Sequence, residues 1–329
     1  MLQSIPLLGY PGGLLIFMIL FLGSLNLAVG TPILALIAER QKVASNDAHY
    51  RLLAGSLVKT AMPLLCLGTV AGLPLLFSIG SYFDPFYRGI LGPFSRLGMI
   101  GVVLLCTTMA LLYLFFLSCG RPKKGYFFHF LLGLAASLSA LLLTLFCHLI
   151  PSFLLVPTAE FRLNGSVSLG EIVFNQLMLP LYVHAVVASL AFTGLMIMLV
   201  AAYQKDFNRR QPREYYQKAF KFGGRWALNA TLFQLIPGGW IFFSLPQELK
   251  DAVMGGALTG WFVAALICTF IGLLLLLKML KDNLVNSRAT TIVTILLLAA
   301  MILMQTTTTR LQQPQPADGL TTSISDRQE

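Results

Sequence analysis

Eight apolar runs constrain this chain more than any motif in it. They lie at about 12–38, 52–78, 94–118, 126–150, 177–202, 222–245, 255–279 and 288–306. Each has roughly the 20 residues that an α-helix needs to cross about 30 Å of hydrocarbon. Lipid offers backbone N–H and C=O groups no partner, so only helices and closed barrels can span it. A barrel would read as short segments of alternating polarity, and the sequence contains none. The expected fold is therefore all-α: a polytopic membrane helical bundle of about eight transmembrane helices. Only 11% of residues are charged, against about 25% in a soluble domain, which leaves little material for a separate soluble unit. Residues 1–310 are read as a single transmembrane bundle. The tail 311–329, "LQQPQPADGLTTSISDRQE", is polar and proline-containing, and is expected to be disordered on the periplasmic side.

Charge orients the bundle. Of the 23 basic residues, 17 fall in the segments near 39–59, 119–125, 203–225 and 278–288. The positive-inside rule puts these loops in the cytoplasm. Both termini then face out, which an even number of spans requires. The net charge of +10 thus reflects topology, and no nucleic-acid partner is implied. The loop 203–225 can also touch anionic lipid headgroups. The N-terminus, "MLQSIPLLGYPGG", lacks the basic region of a signal peptide, so the first helix is expected to stay. Two GxxxG pairs, Gly68–Gly72 and Gly256–Gly260, permit close helix approach. No nucleotide-binding motif stands out.

Polar residues inside the apolar runs are the functional candidates, because lipid makes them costly. The five cysteines, Cys66, Cys106, Cys119, Cys147 and Cys268, show no CxxC spacing. In "TLFCH" Thr144 stands where a covalent c-type haem motif needs its first cysteine. Four histidines are present. His184 lies about seven residues into the fifth span, and His148 lies at the outer end of the fourth. Topology puts both at similar depth near the outer face, as a bis-histidine haem would require. Ala188 and Ala191 share the His184 face at 100° per residue; they leave room for a flat porphyrin or for a neighbouring helix. A histidine simply hydrogen-bonded to another helix is the plain alternative. His49 and His129 could form a second site on the inner side. No carboxylate sits mid-membrane, which speaks against a proton-coupled carrier.

The stretch "VHAVVASLAFTGLM", 183–196, resembles a span-5 motif of cytochrome bd quinol oxidase subunit I, H-x-x-x-A-S-x-x-x-x-G, with His184, Ala188, Ser189 and Gly194 in its positions. "GTPILALIAER", "LCLGTVAGLPLLF" and "LAASLSALLL" add weaker similarity. The likeness covers about 12–225, with the same helix order and orientation. It implies that His184 is an axial ligand of a low-spin haem b near the periplasmic face.

Several family features are missing from this sequence. Phe21 stands where the family carries a span-1 histidine for its oxygen-reducing haem pair. The acidic residues of span 3 are absent from "RLGMIGVVLLCTTMALLYLFF". The long quinol-binding loop is reduced to "SLPQELKDAVMGG", and span 7, "GWFVAALICTFIGLLLLL", lacks the family's methionine ligand and its preceding arginine. The second ligand then falls to His148, with Met301 or Met304 as substitutes, and Arg96, Arg162 and Arg310 are the outer cations available to haem propionates.

The resemblance implies a bacterial inner-membrane subunit that binds one haem b and passes electrons from membrane quinol to a periplasmic c-type cytochrome or another membrane subunit, without reducing oxygen. The competing reading is a non-redox membrane protein, either a carrier or a subunit that has lost its cofactors.

Overall fold

The computed structural model describes residues 12–45, 47–82, 96–118, 126–155, 169–207 and 210–311. The polar tail at 312–329 and Arg162 lie outside them, as does the side chain of Arg96. Every regular element among the described residues is helical. In chain order these are α1 (Gly12–Ser45), α2 (Ala48–Tyr82), α3 (Arg96–Ser118), α4 (Tyr126–Leu155), α5 (Leu169–Val173), α6 (Met178–Phe207), α7 (Arg213–Phe233), α8 (Leu235–Ser244), α9 (Gln247–Met254), α10 (Thr259–Lys281) and α11 (Ser287–Leu311).

Seven of these helices are long and apolar enough to cross a membrane: α1, α2, α3, α4, α6, α10 and α11. They match seven of the eight expected spans. The expected span at 222–245 instead comes as two helices, α7 and α8, that meet at Gln234. Pro237 is the cause. It has no N–H to give the Phe233 carbonyl, so the ladder loses a bond there. The chain stays helical through the break: Gln234 has φ −60° and ψ −20°, and Gly238 N–H donates to its carbonyl at 2.9 Å.

α6 is the most buried of the seven spanning helices. It packs against α1, α4, α7, α8 and α11, so the helix that carries His184 forms the centre of the bundle. Close approach is achieved through glycines. A methyl group on Gly194 would lie 2.6 Å from both Ala227 N and Gly223 O of α7, and one on Gly30 of α1 would lie 2.5 Å from Ser189 O of α6. The Gly68–Gly72 pair acts as expected, with Gly68 against Ser24 and Gly72 against the Phe21 ring of α1. The Gly256–Gly260 pair does not. Gly256 sits in the turn before α10, and nothing lies within 4 Å of a methyl group placed on Gly260.

Candidate haem-binding site

The start of α6 is fixed by Asn175, whose side-chain oxygen accepts the Leu177 N–H at 2.9 Å, and by Pro180, which the first helical turn tolerates. His184 follows six residues after Met178, about 9 Å along the axis. Its ring faces α8: a methyl group on Gly238 would lie 3.9 Å from its Nδ1 and Cε1. The ring also sits against the Gln234 main chain. Its Nδ1 is nevertheless buried with no hydrogen-bond partner. In a ligating histidine that nitrogen donates to a carbonyl while Nε2 binds the metal, and the Gln234 main chain beside the ring offers one.

His148 comes from α4. The two rings are near enough for charge on one to oppose charge on the other. His148 Nδ1 donates to the Thr144 carbonyl at 2.8 Å. That bond fixes the tautomer and leaves the Nε2 lone pair outward, the arrangement that metal-ligating histidines adopt. Among the described residues no group of three or more His, Cys, Asp or Glu could hold a metal ion. Haem iron asks for fewer protein ligands, because the macrocycle supplies four. The Gln234 main chain beside the His184 ring and the preset tautomer of His148 fit such a group.

Apolar layers bound the site on both sides. Toward the outer face Leu155, Leu177 and Leu245 form a buried cluster with Leu181, Ile241, Leu249 and Leu311 packed against it. Toward the inner face Val187, Ala191 and Ala230 form another, with Val183 and Leu190 beside them. Ala191 is therefore packed into the α6–α7 seam, and the helix reading of its small side chain applies. Ala188 is half-buried. Ser189 points another way: its hydroxyl donates to Asn26 Oδ1 of α1 at 2.8 Å. Met301 and Met304 are half-buried on α11, and Arg310 lies over the Trp261 ring, 5.5 Å from its centroid.

The inner histidines are not brought together. His49 Nδ1 pairs with Asp47 at 2.8 Å at the start of α2, where Asp47 also binds Lys218 at 2.5 Å. The ion pair holds the Asp47 carboxyl well below its usual range, and the Lys218 ammonium is correspondingly raised. His129 is buried between helix ends. Its Nε2 meets Glu39 Oε1 at 2.7 Å and its Nδ1 meets Ser118 Oγ at 2.5 Å. Each inner histidine is thus engaged by its own partners, and a shared inner site does not form.

Sequence reasoning missed the Ser118–His129–Glu39 contact and the role of α8. The first joins three helix ends whose pairing no local pattern encodes. The second had a signal, the mid-span "IPGG" at 236–239, which marks a helix break with a glycine that faces the His184 ring.

The sequence profile of cytochrome bd terminal oxidase subunit I matches residues 13–241. Among solved structures, the bd oxidase from Geobacillus thermodenitrificans superposes with a TM-score of 0.72 at 14% identity, over 92% of this chain and 87% of that one. At that identity the likeness concerns the fold. Among curated proteins, none matches the sequence.

Proposed function

This chain belongs to the cytochrome bd terminal oxidase subunit I family, and from that premise we propose that it holds one haem b between His184 and His148 near the outer face of the bacterial inner membrane. The family ties it to quinol-oxidase-related electron transfer. Counting the interrupted α7–α8 element as a crossing would give eight crossings with both termini outside. Electrons would enter from the quinol pool, directly or through a partner subunit. They would leave to a periplasmic c-type cytochrome or to another membrane subunit.

The observation that carries this reading is a pair of histidines on α6 and α4, each with a main-chain carbonyl beside its ring, Gln234 for His184 and Thr144 for His148, an arrangement that leaves Nε2 to ligate. A haem bound there supplies one-electron chemistry. His184 would hold it from α6, and His148 from α4 through Nε2. The leucine layer above and the valine–alanine layer below keep water from both faces of the site. Ala188, on the His184 face, would line it. Dioxygen reduction is not part of the proposal, because the resemblance aligns Phe21, whose ring packs onto Gly72, with the family's span-1 histidine.

An absorption spectrum of the purified protein tests the reading. Reduced-minus-oxidised bands of a low-spin haem b, lost in His184→Ala and converted to high-spin in His148→Ala, are the expected result. An unchanged spectrum in His148→Ala would move the second ligand to Met301 or Met304. A stable, colourless preparation from haem-replete cells would overturn the proposal in favour of a non-redox membrane protein.

A further inference from the structure

At the inner end of the bundle α7, α10 and the α10–α11 turn enclose a cavity of about 270 Å³ that the haem reading does not use. Lys221, Gln217 and Asn283 line its polar side, and Phe220, Met279 and Val285 its apolar side. The spanning segment of α10 ends at Lys281, so the cavity lies at the inner boundary of the hydrocarbon.

Its walls are fixed. Asn283 ends α10 in the left-handed region, at φ 52°, and Leu284 N–H donates back to the Met279 carbonyl at 3.0 Å, a helix-closing pattern in which asparagine substitutes for glycine. Lys205 of α6 donates to the Val285 carbonyl at 2.5 Å, and Asp206 accepts the Ser287 N–H at 3.1 Å. One turn deeper α7 and α10 touch: a methyl group on Gly224 would lie 2.6 Å from Leu280 Cδ2. Lys205 and Lys218 have acidic neighbours in Asp206 and Asp47. Lys221 is exposed and has no ion-pair partner among the described residues.

We propose that this cavity binds the phosphate headgroup of an anionic phospholipid of the inner leaflet. Lys221 supplies the counter-charge, and the amides of Gln217 and Asn283 donate to phosphate oxygens. The wall of Phe220, Met279 and Val285 takes the first carbons of the lipid. A soluble anion gains nothing from that wall, and a zwitterionic headgroup brings its own cation to compete with Lys221. The volume is just below the range of about 300–1,000 Å³ usual for small-molecule sites. It admits a glycerophosphate but no macrocycle, so the site is independent of the haem.

The full chain in nanodiscs of phosphatidylcholine with or without phosphatidylglycerol provides the test, read as lipid retained in native mass spectrometry. Phosphatidylglycerol should be retained in preference. Lys221→Gln should weaken that retention about fivefold, the scale for one basic side chain against an anionic surface. Asn283→Gly keeps the left-handed backbone and deletes the amide, and should weaken it with the fold intact. Arg51→Gln, which removes one exposed charge at the inner end of α2 outside the cavity lining, should leave retention unchanged. Equal retention in Lys221→Gln and the parent protein would overturn the proposal. So would an equal loss in Arg51→Gln, or displacement of the lipid by inorganic phosphate.

Discussion

Replacing Gly194 with alanine probes the contact that fixes α7, and through it α8, against the helix of His184. The added methyl would meet Ala227 N and Gly223 O at 2.6 Å and Trp226 Cβ at 3.0 Å. Two of these atoms are backbone, so no side chain can rotate aside. Ordinary contact begins near 3.4 Å, so the two helices must separate by about 0.8 Å along a seam that is otherwise close-packed. Overpacking of this kind costs about 1–3 kcal/mol. At about 2–4 °C per kcal/mol, the thermal midpoint of the purified protein should fall by several degrees. Gly239→Ala is the control: nothing lies within 4 Å of its methyl group, and alanine in a helix interior is favoured over glycine by up to about 1 kcal/mol. Its midpoint should hold or rise. The reasoning is refuted if Gly194→Ala unfolds at the parent midpoint, or if the two variants lose the same stability. A second readout follows from the geometry. Ala230 and Gln234 move with α7, so a haem spectrum assigned to His184 should broaden or shift in Gly194→Ala and stay unchanged in Gly239→Ala.

Three other perturbations have worked directions. Pro237→Ala restores a donor for the Phe233 carbonyl, so α7 and α8 should straighten and stability should hold or rise; because Gly238 then moves away from the His184 ring, the haem spectrum should change, and an unaltered spectrum would deny α8 a part in the site. His129→Ala leaves Glu39 Oε1 as partnerless as its buried Oε2 already is, and should cost about 3 kcal/mol; the double variant His129→Leu with Glu39→Met should recover most of it in chemical denaturation, and an equally unstable double variant would refute the pairing argument. The Asp47–Lys218 pair gives a pH window: a lowered carboxyl pKa means its stabilisation is present above the ordinary value of 3.8 and is lost only as pH falls through the depressed value, while the raised Lys218 pKa means loss only as pH rises beyond 10.5. In a His49→Gln background, which removes the imidazole that also contacts Asp47, hydrogen exchange at the start of α2 should therefore be protected to the same degree from pH 5 to pH 9 after correction for intrinsic rates, with lower protection on adding Asp47→Asn; equal protection with and without Asp47→Asn would deny the pair a role.

Much of the fold was legible in the sequence because lipid imposes a severe rule. A helix that must hide its backbone in hydrocarbon needs about 20 apolar residues, so seven of the expected spans correspond to continuous helices. The eighth failed as a continuous helix for a local reason, Pro237, which was also legible but was not weighed against the apolar run around it. His184 was singled out by its cost in lipid and by the motif around it. The neighbours of that histidine were less legible. A 3.6-residue period places Ala188 and Ala191 on the His184 face, but it cannot say whether a cofactor or another helix occupies the space. The tertiary structure gives Ala191 to Ala230 of α7.

By itself the sequence determined the material: an all-helical membrane bundle, its resemblance to the bd oxidase family, and two histidines at matching depth. The bundle and the matching depth follow from composition, periodicity and charge, and the resemblance from the residues around His184; all are properties of the chain read in order. Only the tertiary structure decided which groups meet. Gly238 faces the His184 ring, His148 is preset by its Thr144 bond, His129 is joined to Glu39 and Ser118, and Lys221 lines a cavity closed by Asn283. Residues as much as 90 apart in the chain are brought together by where glycines let helices touch and by where Pro237 breaks one of them. Such contacts depend on fractions of an ångström between surfaces, and no pattern along a single helix records them.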